Sequence, residues 1–458
     1  MVNNYFGESV NKVVLPEYGK DAILKSIKHS EYLKEDNEIA ERNTALDFYY
    51  NRNLDSHIDE WFSGSKHLRQ VPAFPQSIVP RFARARMLLY KNPPLRLLDG
   101  EESDDYKAIA YHLNTKTREM AELTWLMGDA SMRTKWNANK ERLEYDILPN
   151  VKKYYVNGES EPFAVSYEIG RASNSDIQFI FWSESRDGEM GQHFMFSQSG
   201  KIKAVPGNPE MVNPYGIIPI SHACYTSNAL DVVRASVQIS IAMTEIALGI
   251  RFNLGQPIAK GITDQDTIES GIDKLIMLSD PASSFEYISP NSDIRGNLES
   301  IKLMINQVAQ NHSLAVRWGE GGTPPSGEAL KIMSMENMEV RESDIPLWRE
   351  WEQSRYEIDN IIYQTHTGKS LPETLTLDYA EAGFPKSVSD EMAWTEFQLR
   401  HNLITRKELL LKFNPDMSDA ELKSKMGELE EEKIAEAPPP VEAPVPLTTT
   451  PLLDILQA

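Results

Sequence analysis

The stretch Arg317-Trp318-Gly319-Glu320-Gly321-Gly322-Thr323-Pro324-Pro325-Ser326-Gly327-Glu328-Ala329-Leu330-Lys331 separates two segments whose apolar residues recur at helical spacing. Its glycines and its two prolines prevent either helix from continuing through it. Ser326 is a favourable N-cap residue for a helix that begins at Gly327 or Glu328. The stretch therefore predicts a helix, a glycine–proline loop and a capped long helix, in that order.

Residues 322–327 have the glycine spacing of a phosphate-binding loop, but the chemistry of that motif is missing. The motif needs Lys and then Ser or Thr after its last glycine, whereas this chain has Glu328, which repels phosphate. Pro324 and Pro325 also remove amides that would hold a phosphate. We therefore expect no nucleotide at this loop.

Catalytic and metal-binding motifs are also missing from the rest of the sequence. It contains no G-x-S-x-G, H-E-x-x-H or C-x-x-C pattern, and its nine histidines lack ligand spacing. His312, on the apolar face of its helix, could be catalytic, although a histidine satisfied at an interface is far more common. The sequence predicts a protein that is not an enzyme and has no cofactor and no metal site.

Composition narrows the class of protein further. The 458 residues carry a net charge of -21, which argues against nucleic-acid binding by a broad basic surface. Such a charge would let a protein surround DNA without adhering to it, but solubility is its more common explanation. A single cysteine, Cys224, and a polar N-terminus predict neither a secreted disulfide framework nor a signal peptide. Residues 235–250 include Gln238, Thr244 and Glu245, which favours a buried helix over a membrane span.

The pattern along the chain predicts an α+β fold. Helical spacing covers residues 17–55, 78–93 and 104–136, and Gly128 within the last of these predicts a helix end that leads into a strand. Short aromatic segments with Gly-containing turns between 143 and 205 indicate an antiparallel meander. Three arginines in the second helix, Arg81, Arg84 and Arg86, are expected on an exposed face that pairs with carboxylates rather than with phosphate.

The C-terminal half predicts two long helices around a small insert. These are 227–252, apolar on most faces, and 297–316, with residues 254–296 between them. A helix over 327–365 follows, which Pro346 should kink. The remaining elements are a strand within 371–385, amphipathic helices over 388–412 and 418–433, and a disordered tail from 434 that lacks Lys and Arg.

The order of these elements resembles the portal proteins of tailed bacteriophages over about residues 75–433. Ser326-Gly327-Glu328-Ala329-Leu330-Lys331 is similar to the S-G-x-A-L-K that opens the kinked helix in that family. Asn213-Pro214-Tyr215-Gly216-Ile217-Ile218-Pro219 is similar to the N-P-x-G-x-I-P that precedes the stem. Asn402-Leu403-Ile404-Thr405 and the Glu-rich residues 428–432 are similar to the family's crown pattern. Each motif is short, so the resemblance depends on their order.

The resemblance implies a portal-type fold with an α/β wing, a two-helix stem, a clip insert and a helical crown. Its domains would be wing 1–225, stem helix 226–253, clip 254–296, stem helix 297–316, tunnel loop 317–326, wing 327–386, crown 387–433 and a Pro-rich tail 434–458.

The resemblance also implies partners and contact residues. The protein would form a dodecameric ring at one capsid vertex of the virion, assembled in the host cytoplasm, with double-stranded DNA passing through its channel and no membrane contact. Its protein partners would be the terminase large subunit, major capsid and scaffolding proteins, and neck or adaptor proteins. The DNA-facing tunnel-loop residues would be Arg317, Trp318, Gly319, Glu320, Gly321, Gly322 and Thr323. The terminase or adaptor contacts in the clip would be Asp264, Asp266, Glu269, Asp273 and Lys274.

Two other functions compete with this interpretation. The chain could be a nucleotide-binding component of a packaging machine, which an ATP-binding assay would detect. It could also be a structural capsid or tail protein without a DNA channel. Within the portal interpretation, Arg317 and Trp318 either contact the phosphate backbone or brace the neighbouring loop, and Trp318 could equally pack between subunits.

Overall fold

The computed structural model describes residues 12–15, 25, 37–62, 74–171, 177–197, 199–252, 256–260, 282, 284–288, 294–316, 334–380, 388–401, 403–414 and 421–428. These residues form helices and mostly antiparallel strands, which confirms the predicted α+β class. The chain divides into two compact units. One contains residues 1–325 and 329–383, and the other contains residues 326–328 and 384–458.

Most of the described helices belong to the first unit. They are α1 (Asn37–Tyr50), α2 (Leu54–Phe62), α3 (Val79–Arg86), α4 (Asp104–Ile109), α5 (Leu113–Met127), α6 (Leu230–Phe252), α7 (Ile294–Asn311) and α8 (Met335–Thr367), with a 3-10 turn at Leu88–Tyr90. The second unit contains α9 (Val388–Arg400), α10 (Arg406–Phe413) and helical residues 421–428.

The described strands all lie in the first unit. They are β1 (Lys12–Leu15), β2 (Leu95–Leu98), β3 (Glu101–Glu102), β4 (Asp129–Asn137), β5 (Arg142–Leu148), β6 (Val151–Val156), β7 (Ala164–Arg171), β8 (Ile177–Ser183), β9 (His193–Ser197), β10 (Ile202–Ala204), β11 (Ile220–Cys224), β12 (Gln256–Lys260), β13 (Ser284–Ile288) and β14 (Leu375–Asp378). They form a six-stranded sheet in the order β1-β6-β7-β8-β9-β10, two three-stranded sheets, β11-β4-β5 and β14-β2-β3, and the pair β12-β13.

The predicted meander is the series β6 to β10, in which each strand pairs antiparallel with the next. Its turns follow the predicted glycines. At Asp187-Gly188 both residues have positive φ (53° and 82°), and Arg186 and Glu189 exchange backbone hydrogen bonds of 2.9–3.0 Å. A two-residue turn with positive φ at both positions matches the twist of the strands that it joins.

The largest hydrophobic core lies where α5, α8 and the sheet β11-β4-β5 meet. Trp348 and Ile362 of α8 are fully buried there together with Met120 and Leu126 of α5. The predicted apolar side of the long helix is confirmed, because Trp351 and Ile358 are also buried. A second cluster lies on the six-stranded sheet and is built from stacked aromatic rings such as Phe181 and Phe194, with centroids 4.7 Å apart.

Helix α1 is fixed to the sheets by one buried arginine. Arg42, 3% exposed, donates to Asp129 Oδ1 at 2.6 Å and to the backbone carbonyl of Pro149. Its Nε also donates to Asn150 Oδ1 at 2.9 Å. A buried guanidinium satisfied by several acceptors avoids the cost of an unpaired charge. Helix α1 is thereby held at the connection between β5 and β6.

The helix end and strand start predicted at Gly128 are confirmed, because α5 ends at Met127, Gly128 with φ of 86° caps it, and β4 begins at Asp129. Another predicted boundary was wrong. The helix expected over 388–412 is two helices, since Thr405 and Glu408 form a capping box that starts α10. The long helix expected from Gly327 is described from Met335, and Ser326 lies outside the described residues.

The helix over 78–93 also ends earlier than expected, at Arg86, well before the two prolines. Arg81 and Arg84 are exposed as predicted. Arg86 is buried and pairs with Asp344 at 2.9 Å, so the expectation of an exposed face was wrong for this residue.

Candidate functional site

None of the residues that the resemblance assigns to DNA and motor contacts is among the described residues. Arg317, Trp318, Gly319, Glu320, Gly321, Gly322 and Thr323 lie outside the described residues. So do Asp264, Asp266, Glu269, Asp273 and Lys274. The described part of the candidate site is the helix pair α6 and α7, which brackets the insert, together with the elements that anchor this pair.

Helix α6 is packed on most of its sides by its own chain. Val232, Ile239 and Leu248 are buried, whereas the exposed positions before its last turn are Arg234, Gln238 and Glu245. These three positions lie on one stripe of a helix with 3.6 residues per turn. The prediction of a helix packed on several sides is confirmed.

One buried side of α6 is polar rather than apolar. Ser236, Ser240 and Thr244 are 0–3% exposed and follow one another at four-residue intervals. Each hydroxyl donates to the carbonyl four residues earlier in the helix, at 2.7–2.9 Å. Each therefore keeps its lone pairs available as acceptors.

These hydroxyls accept hydrogen bonds from the segment that leads into α3. The backbone amides of Phe74, Gln76 and Ile78 donate to Thr244, Ser240 and Ser236 at 3.0, 2.8 and 3.3 Å. Ser240 Oγ also lies 3.0 Å from the carbonyl oxygen of Gln76. We call residues 74–78 the strap and this set of bonds the hydroxyl ladder.

The spacing of the two partners explains why the ladder forms. Four residues of α-helix rise about 6 Å, and two residues of extended chain advance about 6.6 Å. Every second amide of the strap therefore meets every fourth residue of α6. The strap amides, which have no strand partner, are satisfied in this way.

Helices α6 and α7 pack on each other through a small apolar cluster. Ile239 and Ile246 of α6 and Ile301 of α7 are 3–8% exposed, and Met304 and Ile305 of α7 border them. The predicted apolar face of α7 is confirmed for Ile301, Ile305 and Val308, whereas Leu298 is 41% exposed. The two helices therefore form a packed pair on either side of the insert.

The far end of this pair is closed by a histidine. Nε2 of His312, just after α7, lies 2.9 Å from Oδ1 of Asp231 in the first turn of α6. The ring of His312 also makes an edge contact with Trp125, with centroids 5.2 Å apart. Burial opposes ionisation of Asp231, but its bonds to His312 outweigh this and lower its pKa. The structure thus gives His312 a structural partner, as the sequence favoured.

The outer surface of the helix pair exposes large apolar side chains. Leu303 of α7 is 67% exposed, and Ile250, near the end of α6, is 53% exposed. Leu298 is 41% exposed as well. Most other exposed positions of the pair are polar or charged, such as Glu245 and Gln307, so these three are separate apolar side chains on a mainly polar surface.

The described part of the insert begins and ends with a strand. Gln256–Lys260 pairs antiparallel with Ser284–Ile288, which brings the two ends of the insert together next to α6 and α7. The acidic residues predicted as motor contacts fall between these strands in sequence. The antiparallel pair β12-β13 therefore holds the two described strands of the insert together.

Helix α8 is anchored by a buried charge cluster that sequence reasoning missed. Glu352, Arg355 and Asp359 are each fully buried. Arg355 donates to Glu352 Oε2 at 3.0 Å and also pairs with Asp359. Arg96 of β2 completes the cluster with bonds of 2.6 and 3.0 Å to Glu352.

Groups from several other elements donate hydrogen bonds to Asp359 of this cluster, whereas the buried Nε of Arg355 has no hydrogen-bond partner. Tyr106 and Tyr145 donate to Asp359 Oδ2 at 2.9 and 2.8 Å, and Thr134 donates to Oδ1 at 3.0 Å. Burial would raise the pKa of Glu352, but the guanidinium groups of Arg96 and Arg355 outweigh it and hold that pKa below its ordinary value. Charged residues at positions i, i+3 and i+7 of a helix, such as Glu352, Arg355 and Asp359, usually indicate a solvent-exposed face. Only partners that are distant in sequence show that these three are buried, so the sequence offered no local signal.

A second buried pair connects α3 to α8. Arg86 lies 2.9 Å from Asp344, and Trp348 Nε1 donates to the hydroxyl of Tyr225 at 2.8 Å. Burial raises the pKa of Asp344 although Arg86 opposes it. The strap, α3 and α8 are therefore joined in series, which ties the hydroxyl ladder to the long helix.

The motif at residues 213–219 forms a turn that leads into the short strand β11, and α6 follows that strand. The Asn213 amide donates to the carbonyls of Ser183 and Ile217 at 2.8 and 2.7 Å, and its Oδ1 accepts from the Tyr215 amide at 3.0 Å. Gly216, with φ of 71°, supplies the left-handed residue of the turn. The geometry of this turn thus explains the Asn and Gly residues of the motif.

The described residues contain no group of three or more His, Cys, Asp or Glu side chains placed to hold a metal ion. A cavity of about 470 Å³ lies between the end of α7 and Glu336, and one of about 240 Å³ lies beside Phe194 and Met211. Neither is lined by a set of groups that would perform acid–base or nucleophilic chemistry.

By length and composition, one described helix, Leu230–Ile250, is apolar enough to cross a membrane. However, 44% of it is buried inside the protein, and the core helix of a soluble protein meets the same criterion. The hydroxyl ladder runs along this helix, so one of its sides is bonded to the strap.

Comparison with known proteins adds no relative: no family model matches the chain, and no curated protein matches its sequence significantly.

Proposed function

We propose that this chain is a portal protein of the tailed-bacteriophage type. It forms a ring at one capsid vertex, provides the channel for genome packaging and ejection, and attaches neck or tail proteins. The order of the sequence motifs is the starting point of the proposal.

The helix pair α6 and α7 is the observation that carries it. The two helices pack on each other, bracket an insert closed by β12 and β13, and are anchored at their other end by Asp231 and His312. Their outer surface exposes Leu298, Leu303 and Ile250. A packed helix pair that brackets an insert and exposes some apolar side chains suits a stem that packs between neighbours in a ring.

The charge of the chain supports the same function. A net charge of -21 opposes tight binding of a polyanion, which is the property that a channel for moving DNA requires. In this proposal residues 317–326 contact the passing DNA, and the acidic insert meets the terminase during packaging and adaptor proteins afterwards.

Electron microscopy of the purified full chain tests the proposal. We expect rings with a central hole and a mass, measured by mass photometry, that is an integral multiple of 52.0 kDa near the dodecamer. Monomers, sheets or tubes would contradict it, the latter two in favour of a capsid or tail protein. Stoichiometric ATP binding would instead favour a nucleotide-binding packaging component.

A further inference from the structure

One wall of the 240 Å³ cavity beside Phe194 is a short segment that follows β10. We call this segment, residues 206–212, the flap. Its residues 209–212 line the cavity on one side, and the rest of the lining comes from Phe194, Ile202 and residues 190–192. A movement of the flap away from these residues would therefore open the cavity to solvent.

The closed flap contains strained backbone between two fixed ends. Met211 has φ of 58°, in the left-handed region that residues other than glycine seldom adopt. At the start of the flap, Gly207 has φ of 85°, and the amide of Asn208 closes a tight turn with a 2.9 Å bond. Just after the flap, the amide of Asn213 donates to the carbonyl of Gly191 at 2.8 Å. Strain at Met211 therefore favours any alternative position of the flap that relieves it.

His193 of β9 holds the flap closed. Its backbone amide donates to the carbonyl of Met211 at 2.8 Å, and its ring Nδ1 lies 3.3 Å from Nδ2 of Asn208. The same Nδ2 donates to the carbonyls of Val212 and His193, at 2.8 and 3.4 Å. Two carbonyl acceptors require a donor at this position, so the amide nitrogen of Asn208 and not its oxygen faces the ring. Nδ1 of His193 must then accept, which only a neutral ring can do.

We propose that protonation of His193 releases the flap and opens the cavity. A protonated imidazole carries a hydrogen on Nδ1 and so places a second donor opposite the NH2 group of Asn208. Rotating the Asn208 amide would instead direct its oxygen at two carbonyl oxygens, so neither orientation satisfies all of its neighbours. The strain at Met211 then favours the open flap. This acid-sensitive device does not depend on the assembly of subunits.

The surroundings of His193 keep it neutral while the flap is closed. Trp182 of β8 stacks on its ring, with centroids 3.5 Å apart. Burial and, to a lesser extent, the positive charge of Arg133 in β4 lower the pKa of His193 to about 4. The charged residues of the flap and of β10, Glu210 and Lys203, are exposed. Opening would return the ring towards its ordinary pKa of about 6.5, so a fall from pH 7 to pH 4 should favour the open flap about a hundredfold.

Hydrogen exchange of the full wild-type chain between pH 7 and pH 4 tests the proposal. The reporters are the amides of His193 and Asn208, and the reference is Tyr167 of β7, inside the same sheet. After correction for the intrinsic pH dependence of exchange, protection of the reporters should fall by up to about a hundredfold relative to the reference. An equal fall at Tyr167 would indicate global unfolding and would overturn the proposal, as would unchanged protection of the reporters.

Two variants assign the effect to the proposed groups. His193→Gln offers a neutral acceptor at every pH, so its flap should stay protected at pH 4. Asn208→Ala removes the bonds to the ring, so its flap should exchange rapidly at pH 7 already, while Tyr167 stays protected. A His193→Gln chain that keeps the wild-type response to pH would overturn the proposal. The wild-type comparison of flap and reference tests it even where a variant does not fold.

Discussion

Asp231 and His312 lie 81 residues apart in sequence, yet a 2.9 Å contact between Oδ1 and Nε2 joins the start of α6 to the end of α7. The pair is partly exposed, with 43% of the Asp231 side chain accessible, so it contributes about 0.2–1 kcal/mol. Its role is local closure of the helix pair rather than global stability.

Asp231→Asn should therefore loosen the end of α7. We expect amide hydrogen exchange of residues 309–316 to become up to about fivefold faster, with little change in melting temperature. The control is Asp378→Asn, an exposed position on β14. Unchanged exchange at 309–316 would show that the contact has no closing role.

Glu352→Gln should destabilise the first unit strongly. The substitution removes the charge that Arg96 and Arg355 share and leaves two buried guanidinium groups undercompensated, at a cost of about 3–5 kcal/mol. Denaturant unfolding of the purified chain measures this difference. Glu350→Gln, an exposed glutamate on the same helix, should change stability by less than about 0.5 kcal/mol. Equal effects of the two variants would contradict the cluster's role.

Ser240→Ala tests the hydroxyl ladder. The variant leaves the Gln76 amide without its 2.8 Å acceptor at a buried serine, which costs about 1–3 kcal/mol. Hydrogen exchange at Gln76 should accelerate more than at the neighbouring strap amides. Gln238→Ala, at an exposed position of the same helix, is the matched control. It should leave the free energy of unfolding and the hydrogen exchange at Gln76 unchanged.

His193 should make stability depend on pH. Its ring stacks on Trp182 with centroids 3.5 Å apart, and burial lowers its pKa to about 4, against about 6.5 when unfolded. Between these values the unfolded chain binds the proton more readily, so the stability present above pH 6.5 is lost as the pH falls towards 4.

Melting temperatures of the wild type and His193→Gln, measured from pH 7 to pH 4, check this dependence. As the pH falls, the melting temperature of the wild type should decrease more than that of His193→Gln. An exposed histidine, His401, changed to Gln provides the control. A difference that stays constant with pH would show that His193 does not titrate in this way.

Leu303→Gln tests the exterior of the helix pair as a ring contact. Because Leu303 is 67% exposed, its replacement should change the stability of the isolated chain by less than about 0.5 kcal/mol. Under the proposed function it should lower the fraction of chains in rings several-fold, measured by mass photometry. Leu403→Gln, 64% exposed in the second unit, is the matched control. Full assembly of the Leu303 variant would place the contact elsewhere.

The periodicity of apolar residues predicted those helices that are buried along one face or on most of their faces. The helix expected over 227–252 is Leu230–Phe252, and that expected over 297–316 is Ile294–Asn311. The aromatic meander and the returning strand β14 were also predicted, because alternation and turn residues are local properties.

What the sequence did not reveal depends on distant partners. Arg86 resembled its exposed neighbours Arg81 and Arg84, and only Asp344, 258 residues away, explains its burial. Serine and threonine at 236, 240 and 244 were unremarkable in an apolar helix until the strap supplied donors. The break before α10 did have a local signal, because Thr405 and Glu408 have the spacing of a capping box.

The hydroxyl ladder also fixes how α6 can respond to a pulling force. If the strap slid by one step along the helix, its amides would meet Val232 at one end or Leu248 at the other, and neither side chain can accept a hydrogen bond. The ladder therefore has a single register, and slipping would break bonds without replacing them all. A load applied along α6 would pass through the strap to α3 and, by way of Arg86 and Asp344, to α8.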